Sequence, residues 1–167
     1  MGFDRLFIGD FPDVLNVLSK KGGIQGFLDH IAQAPKLVHN DLHVIMFLAM
    51  AASYDPAPSG PKGIRLPVDP TTCEVIAERW NNWLAYDPVC LVEDAQVQDA
   101  LRSLHGVYID CGSVDQYHIQ YGSRQLARRL DGLGIDHIYS EFDDDHSNID
   151  YRMDHSLPFL YHALDGA

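Results

Sequence analysis

Two short runs, Gly106-Val107-Tyr108-Ile109-Asp110-Cys111-Gly112-Ser113-Val114-Asp115 and His137-Ile138-Tyr139-Ser140-Glu141-Phe142-Asp143-Asp144-Asp145-His146, decide how this chain folds. Each starts with aromatic or branched apolar residues and breaks at a polar turn, the pattern of a short buried strand. Between them Ile119, Leu126, Leu130 and Leu133 recur at helical spacing, Arg124, Arg128 and Arg129 lie toward solvent, and Gly134 ends the segment. Strand, helix and strand joined so briefly form a βαβ unit with parallel strands, expected near 107–111 and 137–142. The loops that follow the two strands then meet at one edge of the sheet, where open α/β folds place their ligands. Asp115 stands in the first of those loops and His146 in the second.

Upstream, the pattern is mainly helical. Asp13 can cap a helix carrying Val14, Leu15, Val17 and Leu18 and ended by Gly22-Gly23. A second helix runs from Ile24 to Gln33 and stops before Pro35. The run from Asp41 to Ser53 is apolar all round, and its length and Met, Leu and Ala content favour a helix capped by Asp41. Five prolines between Asp55 and Pro70 mark either a binding loop or a rigid surface connection. Asp69-Pro70 is expected to open the next helix, with Ile76, Trp80, Trp83 and Leu84 on its buried face. Val97, Leu101 and Leu104 mark another helix. Ser156 is expected to cap the last one, with Pro158 in its first turn and Leu157, Leu160 and Leu164 on one face. Phe3 to Phe11 receives no regular assignment.

A chain of 167 residues, 46% hydrophobic, suits a single domain over 1–167. With 12 Lys and Arg against 24 Asp and Glu, its formal charge of -12 disfavours nucleic acid and anionic membranes as partners. Cys73, Cys90 and Cys111 are odd in number and lack C-x-x-C spacing, so reduced, mostly buried thiols are expected. The first residues do not have the order of a signal peptide, and Val44 to Ala52 is too short to span a bilayer. A soluble, cytoplasmic chain is the expectation, with any address carried by a segment upstream.

An acid followed by a histidine, each in a loop after a strand, is the order of the last two catalytic groups in hydrolases of the α/β type. His146, 31 residues after Asp115, would take a proton from a nucleophile and return it to the leaving group. Asp115 would fix the imidazole tautomer and stabilise the imidazolium. Other roles stay open at this level. Asp115 could serve only the amides of its own turn, and His146 could be a solvated histidine beside three acids. Asp143, Asp144 and Asp145 with His146 could hold a cation, although the loop glycine and terminal glutamate of an EF-hand are missing. Asp110 is a rival acid, constrained by its strand. No cofactor or metal is called for.

Three segments resemble a known family: Tyr108-Ile109-Asp110-Cys111-Gly112-Ser113-Val114-Asp115-Gln116-Tyr117, Tyr139 to Ser147, and Tyr151-Arg152-Met153-Asp154-His155-Ser156-Leu157-Pro158. They are similar to the C-terminal part of the esterase family of α/β-hydrolases that includes esterase D and the enterochelin esterase-like enzymes. The likeness covers about residues 40 to 165 and is strongest from 106 onward. It implies an incomplete α/β-hydrolase fold, a small parallel sheet with flanking helices, and a single domain matching the C-terminal part of that fold. It also implies a carboxylic-ester substrate, with Asp115 as triad acid and His146 as triad base.

The departure from the family matters equally. Its nucleophile belongs to a Gly-x-Ser-x-Gly elbow between a strand and a helix, and no such motif occurs here. The serines of Ser59-Gly60, Gly112-Ser113 and Gly122-Ser123 have one flanking glycine each, and Ser147 adjoins the histidine itself. A parallel sheet so small leaves a bare strand edge. A homo-oligomer, a separate N-terminal half or a rearranged Phe3 to Phe11 segment is therefore expected to cover it. The expected function is an ester hydrolase or the C-terminal portion of one, the alternative being an inactive hydrolase domain that oligomerises or binds.

Overall fold

The computed structural model describes residues 9–165, which form a mixed α/β, mostly helical structure with a two-stranded parallel sheet. They divide into two compact units, residues 9–86 and 87–165. No helix among the described residues is long and apolar enough to cross a membrane. Most of the Phe3 to Phe11 segment lies outside the described residues.

Residues 9–86 are built on helices α1 (Phe11–Lys20), α2 (Gly23–Gln33), α3 (His39–Tyr54) and α4 (Ala77–Leu84). Helix α1 begins two residues before Asp13. Pro12 is tolerated in the first turn, where its missing N–H has no helical acceptor, and Asp13 becomes a first-turn acid rather than the cap. Asp41 likewise lies inside α3, its Oδ2 accepting from the Val38 N–H at 3.3 Å. The run that looked apolar all round buries one stripe, Val44, Phe47, Leu48 and Ala51, at helical spacing. Phe11 meets Phe47, Trp80 and Trp83 edge-on at 5.2, 6.0 and 6.0 Å, so both tryptophans are core residues. Each such ring pair adds about 1 kcal/mol beyond the area it buries.

The helix expected to open at Asp69-Pro70 starts at Ala77 instead. Asp69 Oδ1 accepts from the N–H groups of Thr71 and Thr72, each at 2.8 Å, and Val68 pairs with Val75 in an antiparallel bridge. The aspartate has closed a local turn in competition with the helix, and the two backbone bonds lower its pKa. The proline-rich segment is a packed connection. Ala57, Ile64, Leu66 and Val68 are buried, and Arg79 Nη2 reaches the carbonyls of Asp55 and Arg65 at 3.0 Å while pairing with the Asp55 carboxylate at 2.6 Å.

Residues 87–165 contain α5 (Pro88–Leu91), α6 (Ala95–Arg102), β1 (Tyr108–Gly112), α7 (Ile119–Gly132), β2 (Ile138–Phe142) and α8 (Met153–Asp165). Asp87 and Asp94 cap α5 and α6 through the N–H groups of Val89 and Gln96 at 3.0 and 2.7 Å. The strands are parallel, in register from Tyr108 opposite Ile138 to Gly112 opposite Phe142, as the βαβ pattern requires.

Alternation along the strands gives the sheet two different faces. Ile109 packs with Val92, Leu130 and Ile135 beneath α7, and Arg124 of α7 forms a two-pronged ion pair with Glu141. On the opposite face Tyr108 meets Phe159 of α8 at 5.5 Å. There Arg152 also crosses both strands, bonding Asp110 at 3.1 Å and Ser140 at 3.0 Å and lying 4.4 Å from the Phe142 ring centre.

Arg124 and Arg128 lie exposed, as expected, Arg124 while paired with Glu141, and Arg129 is half-buried against the Val89 carbonyl and Glu93. Two further expectations need correction. The last helix starts at Met153 after a 3-10 turn at Asp150–Arg152, so Ser156 and Pro158 lie inside it. Of the cysteines only Cys111 is buried, while Cys90 is exposed and Cys73 half-buried.

Candidate active site

Asp115 and His146 are brought together. His146 Nδ1 lies 2.8 Å from Asp115 Oδ2, across the loops that follow β1 and β2. A carboxylate can only accept, so Nδ1 carries the proton and the other ring nitrogen, Nε2, is left as the basic atom. The Asp115 side chain is 1% exposed and that of His146 47% exposed. The pair therefore has a buried end and an open end. Among the described residues nothing hydrogen-bonds to Nε2.

The two oxygens of Asp115 have separate tasks. Oδ1 accepts from the Tyr117 N–H at 2.8 Å and lies 3.5 Å from that of Ile119, serving the amides that lead into α7. Oδ2 faces His146. One carboxylate thus contacts both the amides of its own turn and the His146 ring. Gln120, 5% exposed, extends Nε2 toward the Ser113 carbonyl at 3.4 Å and holds the same turn.

Close approach of the two loops depends on Gly112, the last residue of β1. A Cβ there would stand 2.6 Å from the Asp145 carbonyl oxygen and nearer still to that of Asp144. Ser113 N–H donates to the Phe142 carbonyl at 2.7 Å and Val114 N–H to the Asp144 carbonyl at 3.2 Å, continuing the strand pairing into the site.

Neighbouring groups are sorted by the same geometry. Asp110, the rival acid, points to the other face and belongs to Arg152. Asp144 accepts from Asp145 N–H at 2.8 Å and Tyr151 O–H at 3.0 Å, and Asp145 accepts from Ser147 N–H at 2.6 Å. No three carboxylate, imidazole or thiol groups converge as metal ligands among the described residues. Cys111 Sγ is 3.8 Å from Asp115 Oδ2. Burial first, and then the Asp115 charge, push its pKa up to about 11, so it stays a thiol at neutral pH and is no thiolate nucleophile. Ser147 Oγ, the hydroxyl nearest in sequence, instead accepts from Gln116 Nε2 at 3.1 Å.

Gly112, Gln116 and Tyr117 lie in the segment around the acid that carries the family likeness, but no role for their side chains follows from the sequence. Tyr117 places its ring edge-on to His146 at 5.3 Å, and Gln116 reaches over to the histidine loop. No model of a known protein family matches the chain, and no curated protein matches it.

Proposed function

We propose that this chain supplies the acid and base of a carboxylic-ester hydrolase of the α/β-hydrolase type, as a serine esterase or the C-terminal part of one. The observation that carries this reading is the 2.8 Å bond from His146 Nδ1 to a buried Asp115, with Nε2 open. In that role Nε2 takes the proton from a serine hydroxyl as it attacks the ester carbonyl, then delivers it to the departing alkoxide. Asp115 keeps the reactive tautomer in place and stabilises the imidazolium. The described residues bring no hydroxyl to Nε2, so the nucleophile comes from polypeptide beyond them, joined in sequence or in assembly.

The test is hydrolysis of short-chain aryl esters, by the chain alone and after co-expression with the polypeptide encoded directly upstream. Turnover that falls at least about 10⁴-fold in His146→Ala supports the reading. Turnover unaffected by that substitution, or none in either preparation, refutes it.

A second reading, an inactive hydrolase domain that self-associates, is favoured by the outer face of α8. Met153, Leu157, Leu160, Tyr161 and Leu164 are all exposed along it, and β1 has a single strand neighbour among the described residues. Light scattering should then give a mass above the 18.7 kDa of one chain, reduced by Leu157→Glu. A monomer at all concentrations excludes it.

A further inference from the structure

We propose, on the basis of the acid–base assignment above, that Gln116 is a positioning residue for His146. It adjoins the acid in sequence and holds the main chain of the base. Its Oε1 accepts from the His146 backbone N–H at 2.8 Å, and its Nε2 donates to Ser147 Oγ at 3.1 Å. Two consecutive residues of the β2 loop are thereby tied to the β1 loop by one side chain.

The bond from Asp115 fixes only one point on the imidazole. A ring held at Nδ1 alone can still tilt with its backbone, and the direction of Nε2 tilts with it. Anchoring the peptide at His146 removes that freedom, so that the acid sets the tautomer and the adjacent amide sets the aim of Nε2. Proton transfer depends on such alignment, and small misplacements lower rates strongly.

Gln116 is exposed, although both ends of its amide are engaged. A long polar side chain loses much rotamer freedom when held this way, which offsets most of the net gain from two hydrogen bonds near water. Its removal should therefore leave global stability almost unchanged while loosening the pair. A merely structural residue would show the reverse pattern.

The measurement uses the full chain with ¹⁵N-labelled histidine and needs no substrate. The wild type should show a downfield Nδ1 proton resonance that is absent from Asp115→Asn. In Gln116→Met, of similar length but without the amide, that proton should exchange with water at least about tenfold faster, with the thermal midpoint unchanged. Gln116→Ala should behave the same way. Unchanged exchange in both variants overturns the proposal while leaving the Asp115 to His146 pair intact. Loss of fold in both also overturns it, by making Gln116 structural. Absence of the wild-type resonance removes the pair and the proposal together. A lack of ester turnover bears on the hydrolase reading alone, since the exchange experiment is independent of it.

Discussion

The two units are stabilised in different ways. Residues 9–86 hold a connected aromatic cluster of Phe11, Phe47, Trp80 and Trp83, and Phe11, Phe27, Phe47 and Trp83 have no exposed surface. Residues 87–165 bury far fewer large side chains: α8 has no buried residue, and the sheet is clamped by the charged links from Arg152 to Asp110 and Arg124 to Glu141. Besides Asp87, their buried polar residues are Asp115, Gln120 and Ser123, at or near the loop that meets His146, whereas residues 9–86 bury Asp41. Burying a carboxylate is costly unless its oxygens are engaged, and here both are. The candidate chemistry therefore lies where apolar packing is thinner and where a buried carboxylate has both oxygens engaged, although the Gln120 Oε1 beside it has no hydrogen-bond partner among the described residues.

If that contrast is sound, substitutions should separate by unit. The largest effect on stability belongs to Trp83→Ala, which empties the middle of the aromatic cluster and should cost about 3–5 kcal/mol. Chemical denaturation followed by far-UV circular dichroism measures this. A loss below about 1 kcal/mol would show that the ring cluster is not what holds residues 9–86 together.

Gly112→Ala comes next. The added methyl meets backbone oxygens that cannot rotate away, so a cost of about 1–3 kcal/mol is expected from displacement of the β2 loop. Amide chemical shifts should move at 112–117 and 143–147 and stay in place through 9–86. Shifts confined to residue 112 and its immediate neighbours would mean that the loops do not lean on the glycine.

The smallest effect is acid sensitivity. The Arg124 guanidinium, with help from the Tyr139 hydroxyl, holds the Glu141 carboxyl at about 2 against an ordinary 4.5. A carboxylate depressed on folding contributes stability that is complete above the ordinary value. That contribution is lost as pH falls from about 4.5 through about 2. Thermal midpoints measured across this window should decline less steeply in Arg124→Met than in the wild type. Parallel declines would show the pair to be fully screened by solvent.

Much of the sheet was legible because its signals are local. Apolar runs ended by turns marked β1 and β2 to within a residue, and the order of acid and histidine located the pair. What sequence did not show came from competition among local bonds. Asp69 could cap a helix or close a turn, and two threonine amides made the turn the better site. The partners of Arg124 and Arg129 did not show because they are 17 and 36 residues away. The contacts of Gln116 and Gly112 were hidden for the same reason: they exist only once the two loops are side by side.

Side-chain alternation along β1 has a genetic consequence. Asp110 and Cys111 occupy opposite faces, one against Arg152 and one beside Asp115. Inserting or deleting one residue within 107–111 would reverse that parity and turn the strand's polar side toward the apolar cluster under α7. A two-residue change would preserve it. In a library of coding indels, in-frame losses of one codon in this strand should behave as nulls, and losses of two codons should include the survivors.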